Sequence, residues 1–156
     1  MDRDEISQLY RRLGPLIYRR CLRLLRDPDH ARDATQEVFV RAVKHQETLK
    51  ADRGCLPWLY RVATNYCLNF IRDRKPTDDR QPEEVLQSGS DEGRLDARRR
   101  VLAILGEFDS QTQQIAVYSL LDGMTQEEIA EVTGLSRKTV GKKLSRFSER
   151  AKEMFQ

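Results

Sequence analysis

The chain of 156 residues has only two histidines and three cysteines. A metal site needs several such ligands close together, and these five are widely spaced, so the sequence predicts no metal site and no cofactor. The cysteines are odd in number and lie in or beside apolar helical patterns, which indicates reduced thiols that pack as small hydrophobic side chains. No glycine-rich phosphate loop or nucleophile motif occurs, so the pattern does not favour an enzyme.

Long hydrophobic runs are also absent. No stretch approaches the roughly 18 apolar residues of a membrane span. The N-terminal sequence MDRDE is acidic and lacks the basic-then-apolar order of a signal peptide. We therefore expect a cytoplasmic protein that does not insert into membranes.

Strand-like alternation is missing as well, whereas apolar residues recur at helical spacing along most of the chain. Residues 76–93 are the exception, because they are rich in Pro, Gly, Ser and acidic residues and have few apolar anchors. The sequence therefore predicts an all-α fold of two small helical domains, residues 1–75 and 95–156. A flexible acidic linker, residues 76–94, should join them.

In the first domain, apolar residues keep a helical period from about Glu5 to Leu25. Pro15 should kink this helix or begin a new one, because its ring clashes with the preceding turn. A second helix should run from about His30 to His45 with Asp29 as its N-cap. Residues 46–56 are polar and contain a glycine, which predicts a loop.

The second helix has a narrow stripe of small residues, Ala34, Val38 and Ala42, that is suited to close helix packing. The rest of its surface mixes charges with an occasional apolar side chain. That mixture fits a protein partner better than nucleic acid. A routine amphipathic helix would have the same pattern, so both interpretations stay open.

A third helix should start near Pro57, a residue accepted in a first helical turn. One side of it is apolar, and the other interleaves an aromatic ring with arginine and asparagine. Such a surface suits unpaired DNA, because bases stack on rings and the backbone attracts cations. Packing of Trp58 and Tyr60 in the core explains the same residues equally well. The residues predicted to share the DNA-facing side are Trp58, Arg61, Thr64, Asn65, Asn69 and Arg72.

Residues 125–146 have the pattern of a helix-turn-helix. Thr125 and Glu128 fit a capping box, and Gly134 fits a helix end with positive φ. Between residues 136 and 152 there are seven basic residues and one acidic residue, which predicts contacts with phosphates. A solvated basic face on an ordinary helical hairpin is the alternative. The predicted DNA-contacting residues are Ser136, Arg137, Lys138, Thr139, Lys142, Lys143 and Arg146.

Four segments along the chain form a recognisable order. They are LYRRLGPLIY (9–18), DATQEVFVRA (33–42), WLYRVATN (58–65) and GMTQEEIA (123–130), the last continuing to Thr139 and Val140. Through these segments nearly the whole chain resembles the extracytoplasmic-function (group IV) sigma factors of bacterial RNA polymerase. The resemblance implies a sigma region 2-like domain followed by a sigma region 4-like domain, in a promoter-specificity subunit that is not an enzyme.

The resemblance also implies a role for each surface. The third helix would open and read the −10 element of promoter DNA, and the helix from Ser136 would read the −35 element near the polymerase flap region. An anti-sigma factor would be the inhibitor. A two-module helix-turn-helix regulator that does not join polymerase remains the alternative. Docking on the clamp helices of the largest polymerase subunit would use Asp33, Gln36, Glu37, Phe39 and Arg41.

The chain departs from this family's pattern at Asn69, where many members have Asp, and at the tripeptide Cys55–Pro57 before the tryptophan. Gly141 lies within the helix that would read the −35 element, where a glycine costs about 1 kcal/mol relative to alanine. Close approach of a sugar–phosphate backbone would explain why a side chain is missing there.

Overall fold

The computed structural model describes residues 3–51, 54–73 and 92–155. All regular structure in these ranges is helical, which confirms the all-α prediction. No helix among the described residues has the length and apolar character that crossing a bilayer requires. The helices are α1 (Arg3–Leu25), α2 (Pro28–Lys44), α3 (Gln46–Ala51), α4 (Cys55–Asp73), α5 (Glu92–Leu105), α6 (Ser110–Ala116), which continues into a π-helical turn (Val117–Leu121), α7 (Gln126–Thr133) and α8 (Arg137–Phe155).

The chain divides into two compact units that part between Gln87 and Ser88. The first contains α1 to α4 and the second contains α5 to α8. The predicted linker, residues 76–94, lies outside the described residues except for residues 92–94, which begin α5. The domain boundaries proposed from the sequence therefore stay a prediction.

Three helices, α1, α2 and α4, pack against one another in all three pairings and form the core of the first unit. The predicted stripe of small residues on α2 lies in that core, since Ala34, Val38 and Ala42 are all fully buried. Ile17 of α1 and Leu59 of α4 are also fully buried. Small side chains on α2 thus let the two longer helices approach it closely.

Pro15 lies inside α1, which continues through it from Arg3 to Leu25, so no new helix begins there. A proline within a helix costs about 3 kcal/mol because it removes a hydrogen bond and crowds the preceding turn. Leu9 and Ile17 are buried on either side of it, at 3% and 0% exposure. Burial of apolar side chains in both halves of α1 therefore outweighs the tendency of Pro15 to break the helix.

The N-cap of α2 is Asp27, and the prediction of Asp29 is wrong. The Oδ1 atom of Asp27 accepts hydrogen bonds from the backbone N–H groups of Asp29 (2.9 Å) and His30 (3.1 Å). Pro28 then takes a position in the first turn, where its missing N–H would have had no partner within the helix. A proline after the cap was the local signal that favoured Asp27.

The segment predicted as a loop, residues 46–56, is largely helical. Its first part forms α3, and α4 begins at Cys55, two residues before the predicted start. Leu49 is only 1% exposed, so one buried side chain anchors an otherwise polar turn. Gly54 lies between the two helices with φ of 74°, a conformation that glycine adopts readily.

The second unit has its own core around the side chains of Tyr118 and Phe147, which are both fully buried. The ring of Phe108 lies 5.1 Å from that of Phe147, measured between centroids. Asp109 caps α6 by accepting a hydrogen bond of 2.8 Å from the backbone N–H of Thr112, as predicted. Because Phe147 belongs to α8, this core fixes the helix on which the basic residues lie.

Candidate DNA-binding and polymerase-binding surfaces

The first helix of the predicted helix-turn-helix, α7, begins with the expected capping box. The Oγ1 atom of Thr125 accepts from the N–H of Glu128 (3.1 Å), and a carboxylate oxygen of Glu128 accepts from the N–H of Thr125 (3.0 Å). The backbone hydrogen bond from Thr125 holds the pKa of the Glu128 carboxyl below its ordinary value. These reciprocal contacts fix where α7 starts.

The turn between α7 and α8 also has the predicted geometry. Gly134 ends α7 in the left-handed conformation, with φ of 77°. Ser136 caps α8, because its Oγ atom accepts a hydrogen bond of 3.1 Å from the N–H of Thr139 and donates one of 2.9 Å to the Oγ1 of Thr139. Ile129 and Val140 are fully buried and hold the two helices together.

The basic residues of α8 do not all lie on one surface. Arg137, Lys138, Lys142 and Arg146 are exposed. The side chain of Lys143 is only 21% exposed, and its Nζ atom lies 3.5 Å from a carboxylate oxygen of Asp109, the cap of α6. Lys143 is therefore directed towards its own unit.

The exposed cations line an open concavity of about 730 Å³ on the outer side of α8. Four of its lining residues, Gln126, Gly141, Ser145 and Glu149, were not among the predicted contacts. Ser145 and Glu149 lie at helical spacing from Arg137 and Lys138, so the sequence pattern could have indicated that they share this side of α8. Gln126 comes from α7, and no periodicity in α8 could have indicated it. The concavity is lined by Gln126, Arg137, Lys138, Gly141, Lys142, Ser145, Arg146 and Glu149.

The predicted DNA-facing side of α4 is wrong for two of its six residues. Trp58 is only 8% exposed, with its ring centroid 6.0 Å from that of His45, and Thr64 is fully buried. The reason is that α4 packs against both α1 and α2. The alternative of a core tryptophan therefore describes Trp58 better. The other four residues reach the surface: Arg61, Asn65 and Asn69 are half-buried, and Arg72 is exposed.

On α2, four of the five predicted polymerase contacts reach the surface. Asp33 and Gln36 are exposed, and Glu37 accepts a hydrogen bond of 3.3 Å from the Nε atom of Arg41. Phe39 differs, since it is 5% exposed and packs edge-on against the ring of Tyr10 at a centroid distance of 4.8 Å. Phe39 thus belongs to the α1–α2 packing and not to the outer face.

The outer face of α2 also has two exposed apolar side chains, Val40 at 45% and Val43 at 48% exposure. Val43 follows Val40 by three residues, the spacing of about one helical turn. The two valines give this face a small apolar patch among charged side chains. We call Asp33, Gln36, Glu37, Val40, Arg41 and Val43 the α2 surface.

Comparison with known families accounts for both units. Residues 9–77 match the family model described as sigma-70 region 2, and residues 98–147 match the one described as sigma-70, region 4. The first match spans α1 to α4, and the second spans most of α5 to α8. The chain therefore belongs to the sigma-70 family of RNA polymerase sigma factors.

Curated relatives include sigma factors of the extracytoplasmic-function (ECF) type. The ECF sigma factor SigW of Bacillus subtilis is 35% identical over 75 residues, which cover 48% of this chain and 40% of SigW. The ECF sigma factor SigE of Mycolicibacterium smegmatis is 26% identical over 162 residues, which cover 94% of this chain and 60% of SigE. The chain thus spans less than two thirds of the length of either relative.

A solved structure shares the fold. The sigma factor RpoE of Bartonella quintana, determined in complex with the anti-sigma factor NepR, superposes with a TM-score of 0.51 and 18% sequence identity. The alignment covers 96% of this chain and 95% of RpoE.

Proposed function

We propose that the chain is a group IV, ECF-type sigma factor, which joins core RNA polymerase and directs promoter-specific initiation of transcription. The observation that carries this proposal is the presence of region 2 and region 4 on one chain, in that order. A helix-turn-helix regulator that acts without polymerase would need only the second. The protein would act in the cytoplasm, as a specificity subunit and not as an enzyme.

The second unit would read the −35 element with α8 in the major groove. Ser136, Arg137 and Lys138 lie at its N-terminal end, the end that usually meets base edges. Lys142 and Arg146 follow on the same exposed side and suit phosphate contacts. Lys143 would help to hold α8 in position through its ion pair with Asp109, the N-cap of α6.

The first unit would read and open the −10 element with the exposed side of α4. Arg61, Asn65, Asn69 and Arg72 combine amides with cations, groups that suit base edges and backbone phosphates. Trp58 and Thr64 lie beneath this side and would act indirectly, by holding α4 in position.

The α2 surface would dock on the clamp helices of the largest polymerase subunit, while the second unit would approach the flap region. Phe39 would keep α2 in register by packing on Tyr10. An anti-sigma factor is the expected inhibitor, as the RpoE–NepR complex illustrates for a protein of this fold. Two modules on one chain gain from effective concentration, so neither needs to bind DNA tightly alone.

The proposal is tested by co-purification with core polymerase and by transcription from a randomised promoter library. We expect stoichiometric retention on core enzyme and a defined pair of upstream and downstream elements among the transcribed sequences. Absence of retention, together with DNA binding in the absence of polymerase, would favour the regulator. Asp33→Lys should weaken retention, whereas Glu47→Lys, the same charge change at an exposed position on α3, should not.

A further inference from the structure

The middle of the exposed side of α8 has no side chain. Gly141 lines the concavity together with Lys142 and with Arg137 and Lys138, which precede it at helical spacing. A glycine in a helix interior is unfavourable by about 1 kcal/mol relative to alanine. Its φ is not in the left-handed region, so the backbone conformation does not require glycine at this position.

The end of the Gln126 side chain lies against the position that a Cβ on residue 141 would take. A Cβ atom built on Gly141 would lie 3.2 Å from the Oε1 atom of Gln126, closer than most real Cβ contacts, and 3.9 Å from its Cδ atom. Among the described residues no other atom outside α8 approaches that position within 4 Å. Gly141 therefore lets the amide of Gln126 lie against the middle of α8.

Gln126 is held at this place by the residues on either side of it. Thr125 fixes the start of α7 through the capping box, and the carboxylate of Glu127 lies 3.3 Å from the Nη1 atom of Arg137. The first turn of α7 thus touches α8 at two points, Arg137 and Gly141. Gln126 itself remains exposed, so a ligand in the concavity can reach its amide.

We propose that Gln126 is a specificity-determining residue that reads an A·T base pair of the upstream promoter element, with Gly141 as its positioning residue. This inference rests on the proposed function. The predicted contacts that line the concavity are all cations, which suit phosphates and guanine. An amide offers one donor and one acceptor together, which match N6 and N7 of adenine in the major groove.

The experiment uses the full chain bound to core polymerase and a library randomised in the upstream element. Relative affinities are measured for wild type, Gln126→Ala, Gly141→Ala and the double variant. We expect Gln126→Ala to lose a preference for adenine of roughly tenfold at one position, with the other positions unchanged. Gly141→Ala should displace the amide and lose the same preference, and the double variant should be no worse than either single variant.

Two further variants separate base reading from other roles. Gln126→Glu keeps the shape of the side chain but removes the donor, so it should also lose the adenine preference. Lys142→Ala should weaken all sequences about equally, as expected of a phosphate contact. Thermal melts of each variant check that the helices remain folded.

Several results would overturn the inference. Unchanged base preferences in Gln126→Ala would mean that the Gln126–Gly141 contact serves only to pack α7 on α8. A loss that is uniform across sequences would make Gln126 a phosphate contact, and additive effects of the two substitutions would show that Gly141 does not act through Gln126. If the wild-type protein selects no upstream element at all, the proposed function itself fails.

Discussion

The Nε atom of Arg20 on α1 donates a hydrogen bond of 3.1 Å to the Oγ1 atom of Thr64 on α4. Thr64 in turn donates to the backbone carbonyl of Tyr60 at 2.8 Å, and the guanidinium of Arg20 lies 4.7 Å from the centre of the Tyr60 ring. Arg20 is 4% exposed and Thr64 is fully buried. A buried charged side chain needs its hydrogen bonds, so this contact fixes α4 against α1.

Thr64→Val should therefore destabilise the first unit. The substitution keeps the shape of the side chain but leaves one buried donor of Arg20 without its acceptor, which costs about 1–3 kcal/mol of unfolding free energy. Denaturant unfolding followed by circular dichroism measures the change. Thr64→Ser retains the hydroxyl and should be considerably more stable than Thr64→Val. Equal stability of wild type and Thr64→Val would show that the hydrogen bond contributes nothing.

The position of Thr64 shows where sequence reasoning reached its limit. The spacing of apolar residues predicts one buried side and one exposed side for a helix. Because α4 packs against two neighbouring helices, the part of its surface that is buried is wider than its apolar stripe. The hydrogen-bond partner of Thr64 is 44 residues away in the chain, and no local pattern indicates it. The same applies to Phe39, whose burial depends on Tyr10 of another helix.

In the second unit, features set by near neighbours were predicted correctly. The capping box of Thr125 and Glu128 involves residues three apart, and Gly134 ends α7 through its own backbone conformation. The sequence could not divide the cations of α8 between surface and interior, because the ion pair of Lys143 depends on Asp109, which precedes it by 34 positions in the printed sequence. These caps depend on residues close in sequence and were predictable, whereas the tertiary partners were not. The cap of α2 is also a local feature, but it was predicted at Asp29 and found at Asp27.

Lys142 and Lys143 are adjacent but should differ in their contribution to DNA binding. Lys142 is exposed in the concavity, whereas the ammonium group of Lys143 already has a carboxylate partner. Lys142→Ala should reduce the slope of log affinity against log salt concentration by about 1, because one fewer counterion is released. Lys143→Ala should leave the slope nearly unchanged. The measurement is binding of the polymerase-bound protein to an upstream-element duplex at several salt concentrations, and equal slopes for the two variants would contradict the assignment.

Acid should weaken the second unit through Asp109. Hydrogen bonds from the hydroxyl and then the backbone N–H of Thr112 hold the pKa of Asp109 below its ordinary value of 3.8, and Lys143 acts in the same direction. The unfolded chain therefore binds a proton at higher pH than the folded chain. The ionised Asp109 carboxylate therefore stabilises the folded second unit fully above pH 3.8. This contribution to the unfolding free energy is lost as the pH falls through the lower pKa that Asp109 has in the folded state.

Asp109→Asn isolates this effect, because asparagine also serves as an N-cap but does not titrate. The stability difference between wild type and variant should shrink as the pH falls below 3.8. Denaturant unfolding at pH values on both sides of that point measures it. A difference that does not change with pH would mean that Asp109 has the same affinity for protons in both states.

The three thiols should differ sharply in reactivity. Cys21 on α1 and Cys67 on α4 are both fully buried and free, whereas Cys55 is half-buried. The hydrogen bond with Cys21, followed by burial, raises the pKa of the Cys67 thiol. Because the thiolate is the reactive form, Cys67 should resist alkylation in the folded protein.

Iodoacetamide at neutral pH should therefore label Cys55 alone, and the other two cysteines should react only when the first unit opens. Peptide mass spectrometry of briefly labelled protein measures the order of labelling. Cys55→Ser should abolish the rapid reaction and leave a slow one. Because that slow rate reports on separation of α1 from α4, Thr64→Val should increase it, whereas Thr64→Ser should do so to a smaller extent. Labelling of Cys21 or Cys67 at the rate of Cys55 in the native protein would show that the α1–α4 contact opens readily.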